Sequence, residues 1–234
     1  MKCWGENKYG QLGDGTFVDQ PSFPAATVVA SGAVEACGQG VSTCVRLSSG
    51  GVRCWGFGGS LGDGTFSNRN TMPSTDLSLP VSVQLTCSAF GACSRSSSGG
   101  VRCFGFMELP DASDILANVA QIVSGVNHNC AVMSSGSLKC WGTNGNGQLG
   151  IGTTTDANLP VADVPSLSGV SAVACGYAVT CVVLGTSGVR CWGSGSSGTL
   201  GNGAYSDMLS PPVSDAISNV NQVCVCVCVC VCVC

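Results

Sequence analysis

One pattern limits what this chain can fold into more than any other: a cation, a cysteine, an aromatic and a glycine, repeated five times. The copies are Lys2-Cys3-Trp4-Gly5, Arg53-Cys54-Trp55-Gly56, Arg102-Cys103-Phe104-Gly105, Lys139-Cys140-Trp141-Gly142 and Arg190-Cys191-Trp192-Gly193. Their cysteines are spaced by 51, 49, 37 and 51 residues, and all four tryptophans of the chain occupy this one position. A fixed period of that length marks an architecture of stacked small units, none of which can bury its apolar face alone.

A glycine-rich turn follows the motif. Gly10-Gln11-Leu12-Gly13-Asp14-Gly15-Thr16 returns as Gly59-Ser60-Leu61-Gly62-Asp63-Gly64-Thr65, as Gly147-Gln148-Leu149-Gly150-Ile151-Gly152-Thr153 and as Gly198-Thr199-Leu200-Gly201-Asn202-Gly203-Ala204. The third copy runs Phe106-Met107-Glu108-Leu109-Pro110 instead, which accounts for the short 37-residue spacing. A hairpin signature precedes the motif: Cys44 to Cys54, Cys93 to Cys103, Cys130 to Cys140 and Cys181 to Cys191, each with nine residues between the cysteines and a Ser/Thr/Gly turn. Short β-branched runs joined by such turns read as β-hairpins. A further apolar strand, such as Val170 to Cys175, comes before each hairpin. A fourth is expected near the proline segments Met72-Pro73 and Leu159-Pro160-Val161. The expected fold is all-β: an incomplete β-propeller of about four four-stranded blades.

The Cys-Trp-Gly motif followed by Gly-Gln-Leu-Gly-Asp-Gly-Thr, at this period, resembles the regulator of chromosome condensation repeat family from Met1 to about Gln222. That resemblance implies a seven-bladed propeller, which at this period needs about 360 residues. The chain holds four copies and a fraction, and Cys3 would be the second cysteine of a hairpin whose first half is missing. Residues 1–222 are therefore expected to be propeller repeats cut at both ends. Residues 223–234 form a tail of six Val-Cys pairs. An uninterrupted GT tract reads as alternating GTG and TGT, valine and cysteine, which favours a translated dinucleotide repeat. The other readings are a one-sided row of thiolates able to hold soft metal ions and an unassigned structural role.

Composition excludes several classes. Only 9% of residues are charged, where about 25% is ordinary, which rules out long helices and coiled coils. An apolar share of 44% with a net charge of −4 argues against disorder. The acidic balance argues against general nucleic-acid binding, and no apolar run approaches the ~18 residues of a membrane span.

In a hairpin with a three-residue turn, Cys44 falls opposite Cys54. The same holds for Cys93 and Cys103, Cys130 and Cys140, and Cys181 and Cys191. Opposed β-carbons lie near disulfide distance, so these eight are expected to be bridged, which favours an oxidising compartment. The alternative is that they are small core thiols. Cys37, Cys87 and Cys175, six or seven residues upstream, read as packing residues, because Ser124 takes their place in one repeat. Zinc is not expected, since there is no Cys-x-x-Cys pair and His128 is the only histidine. His128 occupies a position held by Ser42, Gly91 and Val179 in the other repeats, so it does not read as catalytic. Trp4, Trp55, Phe104, Trp141 and Trp192 are expected in the core between blades.

The motif cations Lys2, Arg53, Arg102, Lys139 and Arg190 are five of nine in the chain. They read either as stems packed on a neighbouring blade with heads on a carbonyl or aspartate, or as a positive stripe for an acidic partner. No catalytic, cofactor or metal site is expected. The function read from these residues is a non-catalytic protein-interaction scaffold using the loops Phe66 to Leu79, Thr154 to Leu159 and Tyr205 to Ser210, with no nucleic-acid or membrane partner. The family resemblance implies an alternative, guanine-nucleotide exchange on a small GTPase. The paired cysteines allow a third reading, an extracellular binding or inhibitory propeller. Compartment is left open.

Overall fold

The computed structural model describes residues 1–22, 32–38, 40–89, 91–105, 113–160, 163–220, 222–225 and 231–233. The Phe106 to Pro110 segment and Val161 lie outside the described residues.

The chain divides into two compact units, Met1–Ala117 and Asn118–Cys234. The first holds blade A, made of β1 (Ala33–Gly38), β2 (Ser42–Leu47) and β3 (Val52–Gly56), and blade B, made of β4 (Ser82–Ser88), β5 (Gly91–Ser96) and β6 (Val101–Gly105). The second holds blade C, made of β7 (Val119–Ser124), β8 (His128–Met133) and β9 (Leu138–Gly142), and blade D, made of β10 (Val170–Cys175), β11 (Val179–Leu184) and β12 (Val189–Gly193). Each blade is an antiparallel sheet in sequential order. β13 (Val223–Val225) and β14 (Val231–Val233) pair as a hairpin in the tail. Two single-turn 3-10 segments, Gly58–Ser60 and Ser196–Gly198, are the only helical elements among the described residues, and no helix is long and apolar enough to cross a membrane.

Turn chemistry sets the register. In blade A the Leu47 amide donates to the Gly51 carbonyl at 2.8 Å, enclosing a three-residue turn in which Gly50 takes φ +85°. That left-handed conformation disfavours side chains. Gly99 and Gly136 repeat it, while blade D uses Ser187 at φ 62°. The turn puts Cys44 opposite Cys54, Cys93 opposite Cys103, Cys130 opposite Cys140 and Cys181 opposite Cys191.

The sheets have three strands. The fourth position is held by isolated bridges, such as Gly56↔Arg69, Val101↔Leu116, Lys139↔Asp163 and Val189↔Ile217. Prolines near the expected fourth strands remove ladder donors there, so pairing survives only at single points.

Alternation of strand faces decides what each blade offers its neighbour. The hairpin cysteines of blade A share a core with Leu85, Cys87 and Phe104 of blade B, while Val45 and Trp55 point the other way, onto Met72. In the second unit Cys130, Leu138 and Cys140 of blade C pack with Val173, Val182 and Trp192 of blade D. The opposite face of blade D packs on Val220 and Val223. Burying one leucine or valine contributes about 1.5–3 kcal/mol, so these shared faces carry the fold.

Candidate functional site

The joints between blades are built from the repeated motifs. Trp55 is fully buried, and its Nε1–H donates to the Gln11 carbonyl at 2.9 Å. The Thr43 hydroxyl donates to the same oxygen at 2.8 Å. The C–D joint repeats this with different residues: Trp192 Nε1–H donates to the Gln148 carbonyl at 3.0 Å and Thr180 Oγ1 does so at 2.8 Å. The turn glycine makes room for the ring. A Cβ on Gly150 would lie 2.5 Å from Trp192 Nε1, one on Gly13 2.5 Å from Trp55 Nε1, and one on Gly62 2.6 Å from the Phe104 ring. Phe104 and Trp141 are buried as well. Trp4 departs from the expected core position: it is 54% exposed, whereas Trp55 and Trp192 are covered by the glycine-rich turns of Gly13 and Gly150.

The motif cations meet aspartates of their own repeat. Arg53 Nε donates to Asp76 at 2.6 Å, Arg102 Nε to Asp114 at 2.8 Å and Arg190 Nε to Asp215 at 2.8 Å, while Lys139 Nζ lies 3.0 Å from Asp163. Lys2, in the first copy, is partly buried. Beside each of the four pairs, the amide after the aspartate bonds the carbonyl before the cation. Leu77 donates to Val52, Ile115 to Val101, Val164 to Leu138 and Ala216 to Val189, at 2.7–2.8 Å. Each cation thus latches the outer segment to its sheet. The signal was present as an aspartate followed by an aliphatic or alanine at Asp76-Leu77, Asp114-Ile115, Asp163-Val164 and Asp215-Ala216.

All four hairpin pairs are joined as disulfides, with Cα atoms 4.0–4.1 Å apart. The packing role expected of Cys37 and Cys87 is corrected: they form a fifth disulfide, linking blades A and B across 50 residues. Cys37 pairs with Cys44, whereas Cys87 pairs with Ala92, one step past the hairpin cysteine. That single step turns the two thiols to opposite strand faces, so they meet between the blades.

In the C–D joint Val123 stands at the register of Cys37, and Cys175 at that of Cys87. Cys175 is therefore an unbridged, buried thiol, pushed up to about 12 by burial. His128 is also fully buried, and burial pushes it down to about 4. Its Nε2 lies 2.9 Å from Thr180 Oγ1, and its Nδ1 has no hydrogen-bond partner.

The glycine-rich turns carry a second repeated feature. Asn7 is fully buried; its Oδ1 accepts from Leu12 N at 2.9 Å and its Nδ2 donates to the Thr16 carbonyl at 3.1 Å. Asn144 does the same with Leu149 and Thr153. Asp63 accepts from the Thr65 amide and hydroxyl and from Arg69. Burial alone would raise its carboxyl, and these bonds outweigh burial and hold it below the usual range. The Tyr205 turn is held more simply, by Asn202 Oδ1 accepting from the Ala204 amide and Asp207 Oδ1 from the Gly195 amide, each at 2.9 Å. The residue after the final Thr or Ala is exposed and aromatic in three copies: Phe17 at 50%, Phe66 at 66% and Tyr205 at 78%. Thr154 takes the place in the remaining copy.

Residues 119–148 and 135–183 match the regulator of chromosome condensation (RCC1) repeat. The ultraviolet-B receptor UVR8 of Arabidopsis thaliana is 35% identical over 113 residues, 47% of this chain and 26% of the receptor. The human probable E3 ubiquitin-protein ligase HERC3 is 33% identical over 94 residues, 40% of this chain and 9% of the ligase. Among solved structures, human WBSCR16 superimposes with a TM-score of 0.78 at 20% identity, over 95% of this chain and 64% of that one. Saccharomyces cerevisiae Prp20p, characterised for its binding to Gsp1p and histones, does so at 0.75 and 18%, over 95% and 62%. The chain therefore spans less than two thirds of each relative, and the structural likeness speaks for the fold.

Proposed function

Starting from the premise that this chain belongs to the regulator of chromosome condensation repeat family, we propose that it is a non-catalytic protein-interaction scaffold. The observation that carries this reading is the aromatic repeated at the tip of rigid turns: Phe17, Phe66 and Tyr205, exposed at the same place in their repeats. Aromatics supply large contact area at low entropic cost and recur at the anchoring points of protein interfaces. Leu159 and Leu209, exposed in the neighbouring loops, add apolar area. Folding does not require these side chains in the open, and a turn already locked by aspartate and asparagine bonds loses little entropy when a partner docks.

Catalysis is not part of the reading. His128, the one histidine, is sealed from solvent, and the Thr180 hydroxyl beside it donates to a backbone carbonyl. A positive stripe as the docking feature is disfavoured, since Arg53, Arg102, Lys139 and Arg190 each carry an aspartate. The second reading, nucleotide exchange on a small GTPase, draws on the fold shared with Prp20p, which binds Gsp1p.

The test is affinity capture with the full chain and with a Phe17→Ala/Phe66→Ala/Tyr205→Ala variant. Surface truncations of this kind shift stability by about 0.5 kcal/mol or less each. Partners held by the parent and lost from an equally stable variant support the scaffold reading. Unchanged capture removes it. Accelerated nucleotide release from a small GTPase mixed with the chain favours the second reading.

A further inference from the structure

The two joints seen in the structure treat their inward thiols differently. Between blades A and B, Cys37 and Cys87 are bonded to each other. Between blades C and D, Val123 replaces the first partner and leaves Cys175 as an unbridged thiol. This is also the joint where the only histidine of the chain stands. A ring nitrogen of His128, Cys130 Sγ and Cys175 Sγ all lie within 4.8 Å of one another, and all three residues are buried. Cys140, bonded to Cys130 in the oxidised hairpin, is a fourth donor attached to the same group.

The histidine is set up as a ligand. Thr180 Oγ1 spends its proton on the Gln148 carbonyl at 2.8 Å, so at the 2.9 Å contact with His128 Nε2 it acts as the acceptor. Nε2 therefore carries the proton, and the lone pair is left on Nδ1. Nδ1 is buried with nothing to bond. A buried acceptor left without a donor is unfavourable, because it has given up its water and gained nothing in return. A histidine with one nitrogen donating to an outer group and the other bare is the arrangement that metal-binding histidines adopt.

We propose that the chain, when it folds with its cysteines reduced, holds one zinc-class ion in the C–D joint through Cys130, Cys140, Cys175 and His128. Three thiolates and one imidazole in a closed, buried shell form a structural zinc set. Tetrahedral ligation at about 2.3 Å to sulfur sets the sulfur donors about 3.8 Å apart. The His128, Cys130 and Cys175 donors, now within 4.8 Å of one another, therefore have to draw together, and the Cys130 and Cys140 sulfurs, bonded in the disulfide, have to separate once reduced. Loading is not a redox step: the ion takes three thiolates and neutral His128, and three protons leave to solvent. Disulfide and metal are alternatives. The Cys130–Cys140 bond becomes two thiols either by exchange with a dithiol, which gives two electrons and two protons and closes to its own disulfide, or by a phosphine, which gives two electrons and leaves as the phosphine oxide while water supplies the oxygen and both protons. Only then are four donors present. In an oxidising compartment the hairpin closes as a disulfide, and in a reducing one the same residues are left for the ion.

The test uses the full chain, folded from the denatured state in a phosphine reductant, with and without one equivalent of zinc or cobalt(II). A single histidine gives a single imidazole spin system in nitrogen–proton spectra. Zinc is expected to move the Nδ1 resonance and leave Nε2 protonated. Cobalt is expected to show tetrahedral and thiolate charge-transfer bands. Cys175→Ser and His128→Gln should each remove one tightly bound equivalent, Thr180→Val should weaken binding about 10–100-fold, and Cys44→Ser/Cys54→Ser should remove none. If His128→Gln fails to fold, His128→Cys should keep the stoichiometry with an all-thiolate spectrum. An unmoved Nδ1 resonance while thiols elsewhere, such as those of the Val-Cys tail, take up the metal overturns the proposal. So does a Cys175→Ser variant with the parent's cobalt spectrum and stoichiometry.

Discussion

The A–B and C–D joints do the same mechanical work with different chemistry. The first has a covalent staple, Cys37–Cys87, and an aromatic, Phe104, with no polar handle against Gly62. The second has no staple. It has Trp192 bonded to the Gln148 carbonyl, a buried His128–Thr180 contact and an unbridged Cys175. Face-to-face burial of β-branched and aromatic residues is common to both, and the polar or covalent detail is interchangeable. A repeat architecture tolerates this because each joint contributes to stability nearly on its own.

The largest expected effect that sharpens the contrast is on the staple. Cys37→Ser with Cys87→Ser releases a link across 50 residues and should cost about 4 kcal/mol in denaturant unfolding. Conversely, Val123→Cys should form the missing staple with Cys175, visible as a new disulfide-linked peptide before reduction, and should abolish the metal binding proposed above. Failure of Val123→Cys to bridge would break the equivalence of the two joints.

Next in size is the glycine under the ring. Gly150→Ala should cost about 3 kcal/mol, from overpacking against Trp192 together with the left-handed backbone. Gly201, at φ +65° with nothing within 4 Å of its Cβ position, should lose only about 1 kcal/mol on the same change. Equal costs at the two positions would show that backbone conformation, not the indole, requires the glycine.

Trp192→Phe makes the C–D joint resemble the A–B joint and should cost about 1 kcal/mol, the worth of one hydrogen bond. A smaller effect still is expected at the turn of blade D. Ser187→Gly relieves a left-handed serine and should raise stability by about 0.5–1 kcal/mol, whereas no gain of this kind is available in blade A, where Gly50 already holds the position.

Much of the fold was legible in the chain. The nine-residue gap and its turn chemistry define the hairpin register, because a three-residue turn allows only one pairing of Cys44 with Cys54. The Cys-Trp-Gly period identifies the unit that stacks. The site was less legible. The Cys37–Cys87 link depends on a one-residue offset that switches strand faces, and this is invisible until the two strands are placed side by side. The aspartate latches recur in the text of the chain, but the partner of each cation lies 12–25 residues away, across a segment with no periodic pattern. Trp4 carries the motif yet lies exposed, because burial of that ring depends on the preceding repeat and not on its own.

By itself, the amino-acid order settled the repeat, the strands, the turns and the pairing within each hairpin. These are decided by contacts a few residues apart, where backbone preference and side-chain alternation act directly. Which thiols meet, which histidine nitrogen is left bare and which cation finds which acid were decided by the tertiary structure. Those outcomes depend on how one blade faces the next, and burial between two sheets gives a buried polar group only the partners that the opposite face presents.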